Sequence, residues 1–157
     1  MKSLKNYVIE SIWDIDNNIE DNNEEFAIRN FIDTNYEYAD ELKIFTKSGV
    51  YYVDCHDDVI VRNKKLTSLT GGLFKWGYVG GDFDCSNCLI ETLEGAPEEV
   101  DRGIDCSGCK KLTSLKGAPK SVQTFDCSGT SIKTLAYAPL STLEFYCNNC
   151  DKLEDIS

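Results

Sequence analysis

Eight cysteines and a single histidine are the residues of this 157-residue chain with the sharpest chemistry. Cys85 and Cys88 stand three apart; after seventeen residues Cys106 and Cys109 repeat the pair, and Cys147 and Cys150 follow further on. Paired cysteines at that distance have the spacing of a four-cysteine zinc site. One step of the pattern departs from it, because Thr130 stands three residues after Cys127. Threonine packs where cysteine packs but does not bind a soft metal. The cysteines are therefore expected to be small buried apolar groups, a common role for free cysteine, and no metal or other cofactor is expected. His56 has no second histidine to work with, which excludes most triads and histidine metal sites. It follows Cys55, and neighbours on a strand point to opposite faces, so the two do not converge as base and nucleophile. Gly71-Gly72 and Gly80-Gly81 lack the lysine and spacing of a phosphate loop. The chain is not expected to be an enzyme.

The cysteines fall into place once the chain is aligned on itself. Phe83-Asp84-Cys85-Ser86, Ile104-Asp105-Cys106-Ser107, Phe125-Asp126-Cys127-Ser128 and Phe145-Tyr146-Cys147-Asn148 recur with their cysteines 21, 21 and 20 residues apart. Each block continues into two apolar positions three apart: Ile90/Leu93, Leu112/Leu115, Ile132/Leu135 and Leu153/Ile156. Three blocks then reach a proline turn, at Ala96-Pro97, Ala118-Pro119 and Ala138-Pro139, followed by Val100, Val122 and Leu143 as the next apolar position. A fainter copy comes first, with Val59/Val61, Leu66/Leu69 and Val79. In Phe83-Asp84-Cys85, alternation sends Phe83 and Cys85 to one face and Asp84 to the other. So short a strand cannot bury its apolar face alone. Stacking the units lets each strand pair in parallel with the next, about 4.8 Å away. A period of about 20–29 residues with one short strand per turn is that of leucine-rich repeats.

The repeats also resemble a leucine-rich-repeat family common in tailed bacteriophages and some bacteria, whose unit reads Phe-x-Cys-Ser-x-Asn-x-Leu-x-x-Leu-x-Gly-Ala-Pro-x-x-Val. The match is specific over residues 79–157 and weaker over 59–78. Cys88, Cys109, Thr130 and Cys150 occupy the second Asn position of that unit. The resemblance implies a solenoid fold and does not imply an enzyme. It also places the protein in a phage context, where it would act in the host cytoplasm by binding and inhibiting or redirecting a host protein, antiviral defence factors included. A virion or assembly component and an acidic mimic of nucleic acid are the alternatives. The mimic would use Asp14, Asp16, Glu20, Asp21, Glu24 and Glu25.

Residues 1–41 are read as an acidic helical segment, and residues 42–157 as a β-hairpin cap plus the solenoid. Leu4, Tyr7, Val8, Ile12, Ile15 and Ile19 recur at helical spacing, with Trp13 expected between helices. A second helix is predicted over about Asn23 to Tyr36, with Phe26, Phe31 and Ile32 inward. Leu42–Lys47 and Val50–Cys55 read as strands joined at Ser48-Gly49. The fold class is thus α+β: a short leucine-rich-repeat-type solenoid of about five parallel strands behind a helical N-terminus. With Ser157 close behind Leu153/Ile156, the last strand is expected to leave an unpaired edge that either frays or joins a second copy as a homodimer.

Net charge is −11. Residues 1–45 hold eleven acidic and four basic side chains. Such a chain repels nucleic acids and anionic membranes and attracts basic partners. There is no apolar run of about 18 residues and no signal-peptide pattern at Met1–Asn6, so a cytoplasmic protein with reduced thiols is expected. The outward strand positions form a column, Ile60, Asp84, Asp105, Asp126 and Tyr146. Flanked by Asp82 and Glu144, this column is the expected partner-binding face. Trp76 and Tyr78, between the glycine pairs, are the expected aromatic anchors for a partner where exposed; packing against the N-terminal cap is the alternative.

Overall fold

The computed structural model describes residues 19–38 and 42–154. The expected helix over the first residues and the place of Trp13 lie outside them, as does Ile156. Helix α1 (Ile19–Asn35) runs directly into strand β1 (Tyr36–Tyr38). It starts earlier than the sequence pattern suggests and ends one residue sooner. Ile28 and Ile32, one turn apart, are buried, and Phe31 packs edge-on against Phe74 with ring centres 6.1 Å apart. Phe26 is not inward. Two residues from Ile28, it lies about 200° around the helix and is 57% exposed.

Two sheets form the body. The larger runs β1, β4 (Val59–Val61), β6 (Phe83–Asp84), β8 (Gly103–Asp105), β9 (Thr124–Asp126) and β10 (Glu144–Tyr146). Only β1 is antiparallel to its neighbour; β4, β6, β8, β9 and β10 are the five stacked parallel strands of the repeat. The smaller sheet runs β2 (Lys43–Lys47), β3 (Val50–Cys55), β5 (Lys75–Val79) and β7 (Glu99–Val100). The β2–β3 hairpin turns at Ser48-Gly49 as the sequence suggests. It forms the first edge of this second sheet, which sequence reading did not foresee. The molecule is a small α+β solenoid of about five turns.

The turns stack position on position. Val59, Phe83, Ile104, Phe125 and Phe145 share a register, and Phe125 and Phe145 stack with ring centres 5.5 Å apart. Cys85, Cys106 and Cys127 follow them inward, as do the apolar pairs Leu66/Leu69, Ile90/Leu93 and Leu112/Leu115. The backbone ladder continues past the strands: Cys85 N–H donates to Asp105 O, and Asn87 N–H to Ser107 O. The two-residue turn after each strand needs a left-handed backbone at its second residue. Asn87, Gly108, Gly129 and Asn149 fill that slot at φ between 55° and 68°, the residue types that tolerate it best. This turn is why cysteines come three apart.

Trp76 sits at the first turn, fully buried. It meets Tyr36, Phe74 and Phe83 edge to face at 5.4, 5.4 and 6.0 Å. Tyr36 hydrogen-bonds through its hydroxyl to Leu69 O, and burial pushes that phenol's pKa far up. The aromatic cluster joins α1, both sheets and the first turn. Trp76 is therefore part of the core and not an exposed anchor.

Candidate functional site

The outward face of the larger sheet carries the acidic column in register. Ile60, Asp84, Asp105, Asp126 and Tyr146 are successive partners across β4, β6, β8, β9 and β10. Two positions back along each strand, Gly103, Thr124 and Glu144 form a second column, with Asp82 next to Phe83 at its head. Asp82 and Glu144 are exposed, and the three column aspartates are half-buried. The strands of this sheet contain no lysine or arginine. At its margin Arg102 lies 3.6 Å from Asp58, whose carboxylate also accepts the Asp82 N–H at 2.8 Å.

Each column aspartate also does local work. Asp84, Asp105 and Asp126 each accept the N–H of the serine two residues on, Ser86, Ser107 and Ser128, at 2.8 Å. This is an Asx turn, in which a short carboxylate replaces a backbone acceptor. It explains why aspartate recurs beside the left-handed slot. It also leaves one oxygen of each carboxylate for other contacts. Tyr146 takes the column position in the last described turn, 41% exposed, with its hydroxyl 3.0 Å from Glu144 Oε2. That carboxylate raises the pKa of the phenol.

Six of the expected partner residues, Asp82, Asp84, Asp105, Asp126, Glu144 and Tyr146, thus share one face. Trp76 and Tyr78 do not join it, because β5 belongs to the other sheet. Tyr78 is half-buried, 5.5 Å from the His56 ring, and donates to Asp101 Oδ2 at 2.7 Å. The smaller sheet has a character of its own that sequence reading missed. Phe45 and Tyr52 stack at 5.8 Å; Lys43 lies over Phe45, and Lys47 and Lys75 over Tyr52, at 5.5–5.9 Å. The alternation Lys43-x-Phe45-x-Lys47 was its signal.

The cysteines form two inward columns. Cys85, Cys106 and Cys127 are buried and Cys147 half-buried; Cys88, Cys109 and Thr130 are buried and Cys150 half-buried. None of these seven column cysteines is in a disulfide. In the second column the side chains bond to backbone: Cys109 Sγ to Cys85 O at 3.2 Å, Thr130 Oγ1 to Cys127 O at 2.8 Å, and Cys150 Sγ to Cys127 O at 3.2 Å. Among the described residues no three His, Cys, Asp or Glu side chains are placed to hold a metal ion. No helix among them is long and apolar enough to cross a membrane.

Burial, the largest cause, pushes the Cys88 and Cys109 thiols up to about 11 and Cys127 to about 12, and Cys85 and Cys106 upward as well, from an ordinary 9.0. These groups are protonated at neutral pH and poor nucleophiles. The raised values favour the folded state in full below about pH 9. Above it the unfolded chain ionises first, and that stability drains away until the folded thiols titrate in turn. The melting temperature should therefore fall steeply between pH 9 and about 11, where the lower of these thiols titrate. In a Cys88→Ser/Cys109→Ser variant the slope should be visibly shallower, which thermal melts across that range will show. Equal slopes would mean that these thiols do not carry the alkaline sensitivity.

Searches of protein-family models, of curated proteins and of solved structures found no match to the chain.

Proposed function

We propose that the protein is a leucine-rich-repeat-type solenoid that works as a non-enzymatic binding module for a protein with a basic surface. The observation that carries this reading is the larger sheet's outward face: three aspartates in register on adjacent strands, flanked by Asp82 and Glu144, with no lysine or arginine in any strand of the sheet. A rigid, uncompensated anionic face steers basic partners and repels polyanions. Ile60 and Tyr146, at the two ends of the aspartate column, supply apolar contact area. In the phage context implied by the repeat resemblance, the partner would be a host protein, a defence factor included.

The Asx turns make a clean test available. Asparagine keeps the acceptor oxygen of each turn and removes only the charge. The triple change Asp84→Asn, Asp105→Asn and Asp126→Asn should leave the melting temperature unchanged or slightly raised, because stacked carboxylates repel. Alanine at the same positions loses three hydrogen bonds and should cost about 1 kcal/mol per site. Immobilised wild-type protein should retain basic proteins from a bacterial lysate at low salt and release them at high salt, whereas the Asn variant should fail to retain them. Identical captured sets from both proteins would show that this face is solvated surface only.

A further inference from the structure

The smaller sheet gathers lysines in a chain that is otherwise acidic. Lys43, Phe45 and Lys47 alternate along one face of β2, and Tyr52 on β3 and Lys75 on β5 continue that face in register. The three lysines are exposed, and their ammonium groups stand over the half-buried, stacked rings of Phe45 and Tyr52. Carboxylates outnumber lysines and arginines by 27 to 16 in the chain, yet these lysines go without one. The ion pairs among the described residues are Arg102–Asp58 and Lys116–Glu94. Asp54 stands opposite Lys43 across the hairpin, but its carboxylate accepts the Tyr78 N–H at 2.9 Å. Three ammonium groups over one pair of rings repel one another, and an anion between them would relieve that repulsion.

The backbone of the same strand is open. Among the described residues β2 has no strand on its outer side. Its hairpin turns through Ser48 and Gly49, both left-handed at φ 53° and 74°, as in a two-residue type I′ turn. Such a turn closes on a hydrogen-bonded pair, here Lys47–Val50, and every second pair is then hydrogen-bonded too: Phe45–Tyr52 and Lys43–Asp54. Ile44 and Thr46 therefore turn their N–H and C=O groups to the free side.

We infer that β2 is a docking edge for an extended acidic segment of another protein, added antiparallel as a further strand. Its backbone would bond to Ile44 and Thr46. Lys43, Phe45 and Lys47 then fall at the close, non-hydrogen-bonded pair sites of the new ladder. A carboxylate opposite each lysine and an aromatic or apolar side chain opposite Phe45 complete the match. Lysines on an edge turn away a like strand; the same charges select one that carries carboxylates. A nucleic-acid strand fits less well. As a polyanion it meets a chain of net charge −11, and the ring faces are taken by each other and by the lysines, which leaves none for a base. The inference is independent of the basic partner proposed above, which uses the other sheet.

Two blocked, fluorescently labelled peptides serve as probes: Thr-Glu-Val-Tyr-Val-Glu-Thr, and the same sequence with glutamine for glutamate. In anisotropy titrations at low salt the glutamate peptide should bind about tenfold more tightly, the effect of two cross-strand charge pairs. Lys43→Gln with Lys47→Gln, both at exposed positions, should keep the melting temperature and abolish the difference; Lys43→Arg with Lys47→Arg should retain it. Hydrogen exchange of the Ile44 and Thr46 amides should slow when the glutamate peptide is at saturation. Equal affinity for the two peptides, binding of neither, a difference that survives in the glutamine variant, or unchanged exchange at Ile44 and Thr46 overturns the inference. So does a thymidine oligonucleotide that binds wild type more tightly than the glutamate peptide and fails to bind the glutamine variant, since the face would then be a nucleic-acid site. The Asp→Asn triple variant should bind the glutamate peptide at least as tightly as wild type, which separates this outcome from failure of the binding reading.

Discussion

Cys106→Asp should break the solenoid in its middle. Cys106 is fully buried, stacked between Cys85 and Cys127, with its thiol 3.1 Å from Asp126 O. Burial holds even the weakly acidic thiol in its neutral form. A carboxylate there has no cation to pair with, and either stays charged in an apolar column or is held protonated against its ordinary pKa. Either route costs several kcal/mol. An expected loss of at least about 4 kcal/mol corresponds to roughly 10 °C in melting temperature for a chain of this size. Cys106→Ala, which removes only a small buried group, should lose about 1 kcal/mol. Urea melts of the two variants against wild type give the comparison. If Asp and Ala prove equally mild, the column is wetter than its burial indicates.

Trp76→Ala should be comparably severe, through a cavity. The indole is the largest of the fully buried side chains and touches three aromatic rings, Tyr36, Phe74 and Phe83. Truncating such a residue costs about 3–5 kcal/mol. It should loosen α1 and β1 as well, because Tyr36 loses its edge-on partner. The signature is a lower denaturant midpoint together with faster exchange of the amides over residues 28–38. A Trp76→Ala variant that kept wild-type stability but lost partner capture would restore this residue to the binding surface.

The difference between Trp76 as foreseen and Trp76 as found shows where sequence reading stops. The repeat positions were legible because Phe83, Cys85 and their counterparts alternate within three residues and recur at a fixed period. The larger sheet and both cysteine columns follow from that pattern. The smaller sheet does not, because β7 has only two residues and its one periodic apolar position, Val100, does not by itself mark a strand. In β5 the alternation is broken as well. Val53 pairs with Trp76 but Cys55 pairs with Val79, so the register shifts between them. Trp76 and Val79 are both buried although three apart, a spacing that no regular strand predicts. Leu143 shows the same limit in another form. Taking the next apolar residue after Pro139 makes it the counterpart of Val122, but it stands four residues past its proline where Val122 stands three past Pro119, and the ladder puts Thr142 in that place and leaves Leu143 outside. The acidic face itself could be read residue by residue. That its aspartates also close turns could not, since a hydrogen bond two residues away leaves no trace in the spacing.

The aromatic cluster at the first turn gives the molecule a direction in time. Tyr36, Phe74, Trp76 and Phe83 all lie in the first part of the chain to leave the ribosome. They can close around α1 before the later repeats exist. Each further turn then meets a finished edge and needs only its own 20 or 21 residues to complete itself. At a synthesis rate of about 5–20 residues per second, one turn is supplied roughly every one to four seconds, far longer than local strand pairing takes. Growth of this kind templates each newcomer on its predecessor and keeps unpaired strands few at any moment. Dismantling runs the other way, with the last turn peeling first and the aromatic clamp yielding last. Ribosome-bound chains halted once Phe83 has cleared the exit tunnel should already protect α1 from protease.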